Sequence, residues 1–180
     1  REPGGSSIGP KIREIVLTGK KDKLSAHAEA LLFSADRRAH LEEKIIPQTQ
    51  AGVWVVSDRF ADSTRVYQAT GGMSEALIKR WNDTVVDGYW PDLTIILDVD
   101  PKIGFARAGK RMAGHAKAED RFESVGLEFH EQVRKGFLKV AEENPQRCVV
   151  IDTNNLSLNQ VAQSIHCLLY TSDAADEEDS

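Results

Sequence analysis

Apolar and polar positions along this chain switch repeatedly between two periods. Three short runs are almost continuously apolar: Val53-Trp54-Val55-Val56 after Ala51-Gly52, Leu93-Thr94-Ile95-Ile96-Leu97 after Pro91-Asp92, and Cys148-Val149-Val150-Ile151 after Asn144-Pro145. They end at Ser57-Asp58-Arg59, Asp98 and Asp152 respectively. Short β-branched runs bounded by turn residues predict buried strands of a parallel sheet covered on both faces. Between and around them the pattern is helical, over residues 25–46, 74–86, 102–112, 128–142 and 157–166. In the first of these, Ala28, Leu32, Ala35, Ala39 and Ile46 form one stripe expected to face the core. Phe33, Asp36, Arg37 and His40 fall together on a different side. Asp100-Pro101 supplies a start signal, an N-cap followed by proline at the first helical position. With no internal repeat and no linker, the alternation predicts a three-layer α/β domain on a parallel sheet.

Composition narrows the class without naming it. A chain of 180 residues with 41% hydrophobic residues fits one domain with a sizeable core. No apolar run approaches the ~18 residues of a membrane span, and Arg1-Glu2-Pro3-Gly4-Gly5 is turn chemistry rather than a secretory leader, so a cytoplasmic protein without a membrane partner is expected. Two cysteines, Cys148 and Cys167, make neither a disulfide framework nor a metal cluster. The net charge of -5 resides in residues 173–180, whose five acids leave the remainder neutral, so no basic surplus points to nucleic acid. From Cys167-Leu168-Leu169-Tyr170 onward the sequence resembles a translated sequencing adapter. The expectation is a domain over residues 1–166 followed by a non-native tail, 167–180.

Candidate chemistry lies where the strands end, since ligands of open α/β sheets bind beyond the carboxyl ends of strands. Asp58 can orient a phosphate or hold Mg²⁺-bound water, and Arg59 can clamp phosphate oxygens in a fork. A strand-end ion pair is the plainer alternative, for Asp98 as well. Residues 107–121 carry Arg107, Lys110, Arg111, Lys117 and Arg121 against Glu119 and Asp120, interrupted by Gly109 and Gly114. They read either as a cationic lid closing over phosphates or as a solvated surface helix. Phe33 and Arg37, four residues apart, offer a stacking plane and a forked donor suited to a nucleobase, or simply a packing contact. A Gly-x-x-x-x-Gly-Lys-Ser/Thr loop is absent from the sequence: Gly19-Lys20 is followed by Lys21, and Gly109-Lys110 by Arg111.

Taken in order, Arg1-Glu2-Pro3-Gly4-Gly5, Leu31-Leu32-Phe33-Ser34-Ala35-Asp36-Arg37, Asp58-Arg59-Phe60 with Ser63, Thr64, Tyr67 and Gln68, Pro91-Asp92-Leu93-Thr94, Leu97-Asp98-Val99 and Asp120-Arg121-Phe122-Glu123 resemble bacterial thymidylate kinase over residues 1–165. The resemblance implies a P-loop nucleoside-monophosphate-kinase fold lacking its N-terminal strand–P-loop–helix unit. It implies transfer of the ATP γ-phosphate to dTMP with Mg²⁺, in a cytoplasmic homodimer. Phe33 would stack on thymine and Arg37 would donate to its O4. Thr64 and Gln68 would line the base edge and Tyr67 the sugar, with Ser63 among the substrate-binding residues. Arg1 and Glu2 would lie near the dTMP phosphate, Asp58 and Arg59 at the phosphates, and Arg107, Arg111 and Arg121 in the lid. Departures from the family pattern are Phe60 in place of Tyr or His, Ala69-Thr70-Gly71-Gly72-Met73 without the usual arginine, and a long lid. Without a phosphate-gripping loop, this chain by itself is expected not to catalyse. The alternatives are a kinase for another pyrimidine nucleoside monophosphate and a degenerate nucleotide-binding protein.

Overall fold

The predicted alternation of strands and helices holds in the C-terminal half of the computed structural model, which describes residues 1–18, 24–112 and 126–178. Helix α1 (Gly9–Leu17) carries proline in its first turn. Helix α2 (Ala26–His40) begins at Ser25, whose hydroxyl accepts the Ala28 N–H at 3.2 Å. It runs through a π-helical turn, Leu41–Ile45, into α3 (Ile46–Gln50). The widened turn lies just before Pro47, which has no N–H to donate and crowds the preceding turn. Helices α4 (Ala61–Thr70) and α5 (Glu75–Val86) precede strand β1 (Thr94–Asp98). Then follow α6 (Pro101–Met112), α7 (Leu127–Glu143), β2 (Cys148–Asp152) and α8 (Leu158–Glu178). Two of these helices, α1 and α4, have no counterpart among the predicted elements. Helix α4 buries Asp62, Thr64 and Gln68 beside Ala61 and Val66, so it shows no apolar stripe to read.

Strands β1 and β2 pair in parallel, in register from Thr94 opposite Cys148 to Asp98 opposite Asp152. Val66 of α4 and Val133, Val140 and Ala141 of α7 bury Ile96 and Cys148, with Tyr67, Phe129 and Phe137 around them. A second cluster, Ala30, Met73 and Ile78, joins α2 to α5 with Trp81 at its edge. Arginine forks hold the strand ends. Arg134 donates to both Asp98 oxygens at 2.7 Å, and Arg147 to both Asp62 oxygens at 2.8 Å while lying 5.1 Å over the Trp90 ring. The hydrogen bonds to Asp98 and Asp62 raise the pKa of Arg134 and Arg147 above the ordinary guanidinium value. The Asp100 carboxylate accepts the Lys102 N–H at 2.8 Å, as its capping position predicts.

Three expectations need correction. Residues 53–56 form no ladder with another described segment, and Val56 is 83% exposed. An apolar run becomes a buried strand only where a neighbour takes its N–H and C=O groups. Among the described residues the sheet is not fully covered on both faces, since Leu97, pointing away from Ile96, remains 48% exposed. In α2 the apolar stripe is not the buried one: Ala35 is exposed, whereas Glu29, Ser34, Asp36, Arg37 and His40 are buried. Polar partners on other segments, described below, receive that side and offset its desolvation.

Close packing of α4 on α7 rests on Gly136, where an added Cβ would come within 2.8 Å of Val66 Cγ1. Gly136→Ala gains about 1 kcal/mol of helix propensity but overpacks a stiff, buried valine at a cost of about 1–3 kcal/mol. The variant should therefore unfold at lower urea concentration than the native chain, with an unchanged slope.

Candidate active site

The buried polar side of α2 meets two segments. The first is the loop at residues 1–8. The Glu2 N–H donates to the Asp58 carbonyl at 2.9 Å, and the Glu2 carboxylate accepts from Arg37 Nε at 2.8 Å. Its other oxygen lies 3.1 Å from His40 Nδ1. Glu2 and Arg37 are both almost fully buried, so the pair is desolvated as well as hydrogen-bonded. Gly5 lies against the His40 ring, where any Cβ would come within 2.5 Å. Asp36, with no exposure, accepts from the N–H groups of Gly4 (2.7 Å) and Ser6 (3.4 Å) and from the Ser6 hydroxyl at 2.5 Å. About two helical turns further, the exposed Glu43 accepts the Ser7 N–H and hydroxyl, both at 2.7 Å. Those two bonds hold the Glu43 carboxyl below its ordinary pKa. The clamp is therefore complete at neutral pH and is lost as pH falls through the lowered value.

The second segment is α4. Arg37 Nη2 donates to Thr64 Oγ1 at 3.0 Å, and Gln68 Nε2 donates to Glu29 Oε2 at 3.2 Å. These contacts form two rungs between the helices, at positions 29 and 37 of α2 and 64 and 68 of α4. Phe33, half-buried, lies midway between the α2 rungs at i+4 spacing. Two polar atoms remain buried there without a hydrogen-bond partner, Arg37 Nη1 and Gln68 Oε1. Glu29 accepts from the amide nitrogen, which orients the Gln68 oxygen away from that carboxylate. The site thus offers one unpaired donor and one unpaired acceptor, each costly to leave unmet.

Asp58 and Arg59 are exposed at the N-terminal side of α4. Arg59 adopts a left-handed backbone, φ 68°, an uncommon conformation for a residue with a Cβ. Its guanidinium lies 5.2 Å over the Tyr67 ring, and Tyr67 packs edge-on against Phe137. Arg1 is exposed beside this end, because the Glu2–Asp58 backbone bond ties the two segments together. The ring beneath Arg37 is Phe60, at 5.2 Å, and not Phe33. Ser63 is half-buried on α4 and its N–H donates to Phe60 O.

Glu2, Arg37, Asp58 and Thr64 are therefore linked through one set of contacts, with Arg1 and Arg59 adjoining it in sequence and Tyr67 and Gln68 about one turn along α4 from Thr64. Arg107 is held elsewhere, donating to the carbonyls of Thr153 and Asn154 at 3.0 and 2.8 Å. Arg121 lies outside the described residues, as does the side chain of Arg111. Asp98 is bound to Arg134 as a strand-end ion pair. Sequence reasoning assigned no role to Glu29, Asp36 or His40. Asp36 and His40 carried a signal nonetheless, since they group with Phe33 and Arg37 away from the apolar stripe.

Residues 1–165 match the family model described as thymidylate kinase. A thymidylate kinase from Maridesulfovibrio salexigens is 45% identical over 156 residues, which are 85% of this chain and 72% of that protein. One from Enterococcus faecalis is 44% identical over 167 residues, 92% of this chain and 77% of that protein. The crystal structure of thymidylate kinase from Ehrlichia chaffeensis matches with a TM-score of 0.70 and 33% identity, covering 94% of this chain and 78% of that one. Fold and sequence together define a phosphotransferase of the α/β kinase type. The chain belongs to the thymidylate kinase family, whose reaction phosphorylates dTMP to dTDP with ATP as donor.

The buried Glu2–Arg37 pair bears on stability as well as on the site. Glu2→Ala leaves the Arg37 charge buried without its carboxylate and should lower the unfolding free energy by about 3–5 kcal/mol. Urea denaturation followed by far-UV circular dichroism measures this.

Proposed function

We propose that the α2–α4 rungs form the thymine subsite and that the Arg1–Asp58–Arg59 end receives the dTMP phosphate. The observation that carries this reading is the pair of unmet polar atoms, Arg37 Nη1 and Gln68 Oε1. Thymine presents an O4 acceptor next to an N3–H donor, the complement of that pair. Cytosine presents a donor and an acceptor in the opposite order. Phe33 supplies the stacking face, Ser63 and Thr64 border the base, and Tyr67 lies against the deoxyribose. Toward the phosphates, Arg59 bridges acceptor and donor groups, and its strained backbone supports a positional role. Mg²⁺ supplies charge neutralisation when bound with ATP, and the exposed Asp58 carboxylate, a hard oxygen donor, fits contact with its waters. Residues 107–121 act in this reading as a lid, with Arg111 or Arg121 supplying transition-state charge. Arg107 is the weaker candidate because its guanidinium is engaged by Thr153 and Asn154.

The domain in this reading is residues 1–166, working as a cytoplasmic homodimer on dTMP and ATP without nucleic acid. The tail, 167–180, takes no part; the family match ends at residue 165. Among the described residues no helix is long and apolar enough to cross a membrane.

Two measurements test the proposal. In calorimetric titrations dTMP should bind about ten- to a hundredfold more tightly than dCMP, because the wrong base leaves a buried donor and acceptor unpaired. Equal affinities would remove the thymine assignment. For the phosphate end, in the chain joined to the family's N-terminal strand–P-loop–helix unit, Arg59→Ala should lower ATP-dependent dTDP formation by about a hundredfold or more with an unchanged circular dichroism spectrum. Near-native turnover in that variant would exclude Arg59 from the phosphates.

A further inference from the structure

We infer that Asp36 is a positioning residue for the phosphate end of the site, acting through the loop that carries Arg1. This rests on the subsite reading above. Asp36 has no exposure, and its carboxylate accepts from Gly4 N–H, Ser6 N–H and Ser6 Oγ. A buried carboxylate is expensive unless its lone pairs are met, and here three donors of one loop meet them. The fit is tight on the other side too. A Cβ on Gly9 would come within 2.5 Å of Asp36 Oδ1 and 2.6 Å of Gly4 Cα, so the loop closes directly onto the carboxylate.

Adjacent residues of one helix thereby do two jobs. Arg37 faces the base subsite through Thr64, while Asp36 fixes the backbone that leads to Arg1. Gly4, at φ 119°, takes a backbone conformation that few other residues tolerate, and its N–H is one of the three donors. Without the carboxylate, the loop must be ordered when the phosphate binds, and that ordering is subtracted from affinity. The cost falls on the ligand that engages the loop, while Glu2, held by bonds of its own to Arg37, His40 and Asp58, keeps the rungs in place for a ligand that engages only them.

The test compares dTMP with thymidine, by calorimetry on the 180-residue chain. The native chain should prefer dTMP. Asp36→Ala should weaken dTMP about tenfold or more while leaving thymidine within about twofold, so the preference for the phosphorylated ligand collapses. A merely structural role would weaken both ligands alike, and that result overturns the proposal while leaving the subsites in place. Ser6→Ala, which removes one loop donor and spares the helix, should shift the same ratio in the same direction by a smaller factor. It decides the matter if Asp36→Ala does not fold, and an unchanged ratio in a folded Ser6→Ala then overturns the proposal. A native chain that binds neither ligand removes the subsite reading itself, and this proposal with it.

Discussion

The Glu2 carboxylate, buried between Arg37 and His40, is the interaction on which the rest of the site depends. A carboxylate so far from water is tolerable only with a cation and directed hydrogen bonds around it. Meeting that condition draws the chain's first residues onto α2, and α2 onto α4 through Thr64. Glu2 also ties its backbone to Asp58, so the same residue fixes Arg37 of α2 through its side chain and the segment before α4 through its N–H. Charge satisfaction and site geometry are one constraint here.

This explains why the core of the N-terminal half reads poorly as a hydrophobic pattern. Helix α7 and strands β1 and β2 were legible because apolar packing around Ile96, Val133 and Val140 makes them, α5 because Ile78 packs in the second cluster, and α6 because Asp100-Pro101 caps its start. Turn residues also announced their ends. Helix α4 was invisible because its buried face contains Asp62, Thr64 and Gln68, whose partners, among them Arg147 and Arg37, lie far away in sequence. For α2 the period was right and the face was wrong. The apolar stripe was taken for the core, while the polar group that included Asp36, Arg37 and His40 is the one that packs. Residues 53–56 failed for the converse reason. Their composition is that of a strand, but pairing is a property of a neighbour and not of the run itself.

For the site, short motifs pointed to residues that the fold brings together and missed their supports. Arg37 was read with Phe33 from spacing, and Thr64 and Gln68 entered only through family resemblance. Their pairing with Glu2 and Glu29 emerged only from the fold. Arg107 shows the limit in the other direction. As a member of a basic run it suggested a mobile cation, yet the carbonyls after β2 hold it. Composition cannot tell a charge held in reserve from one already coordinated.

The exposed Val53-Trp54-Val55-Val56 stretch has a consequence for the behaviour of the chain in solution. Exposed β-branched sequence with an aromatic and no charge is of the kind on which another copy can add a strand. The ionised tail beyond residue 172 sets long-range repulsion against that tendency, and salt screens such repulsion. The two segments thus act in opposite senses on self-association, one adhesive and one repulsive, and added salt weakens the repulsive one.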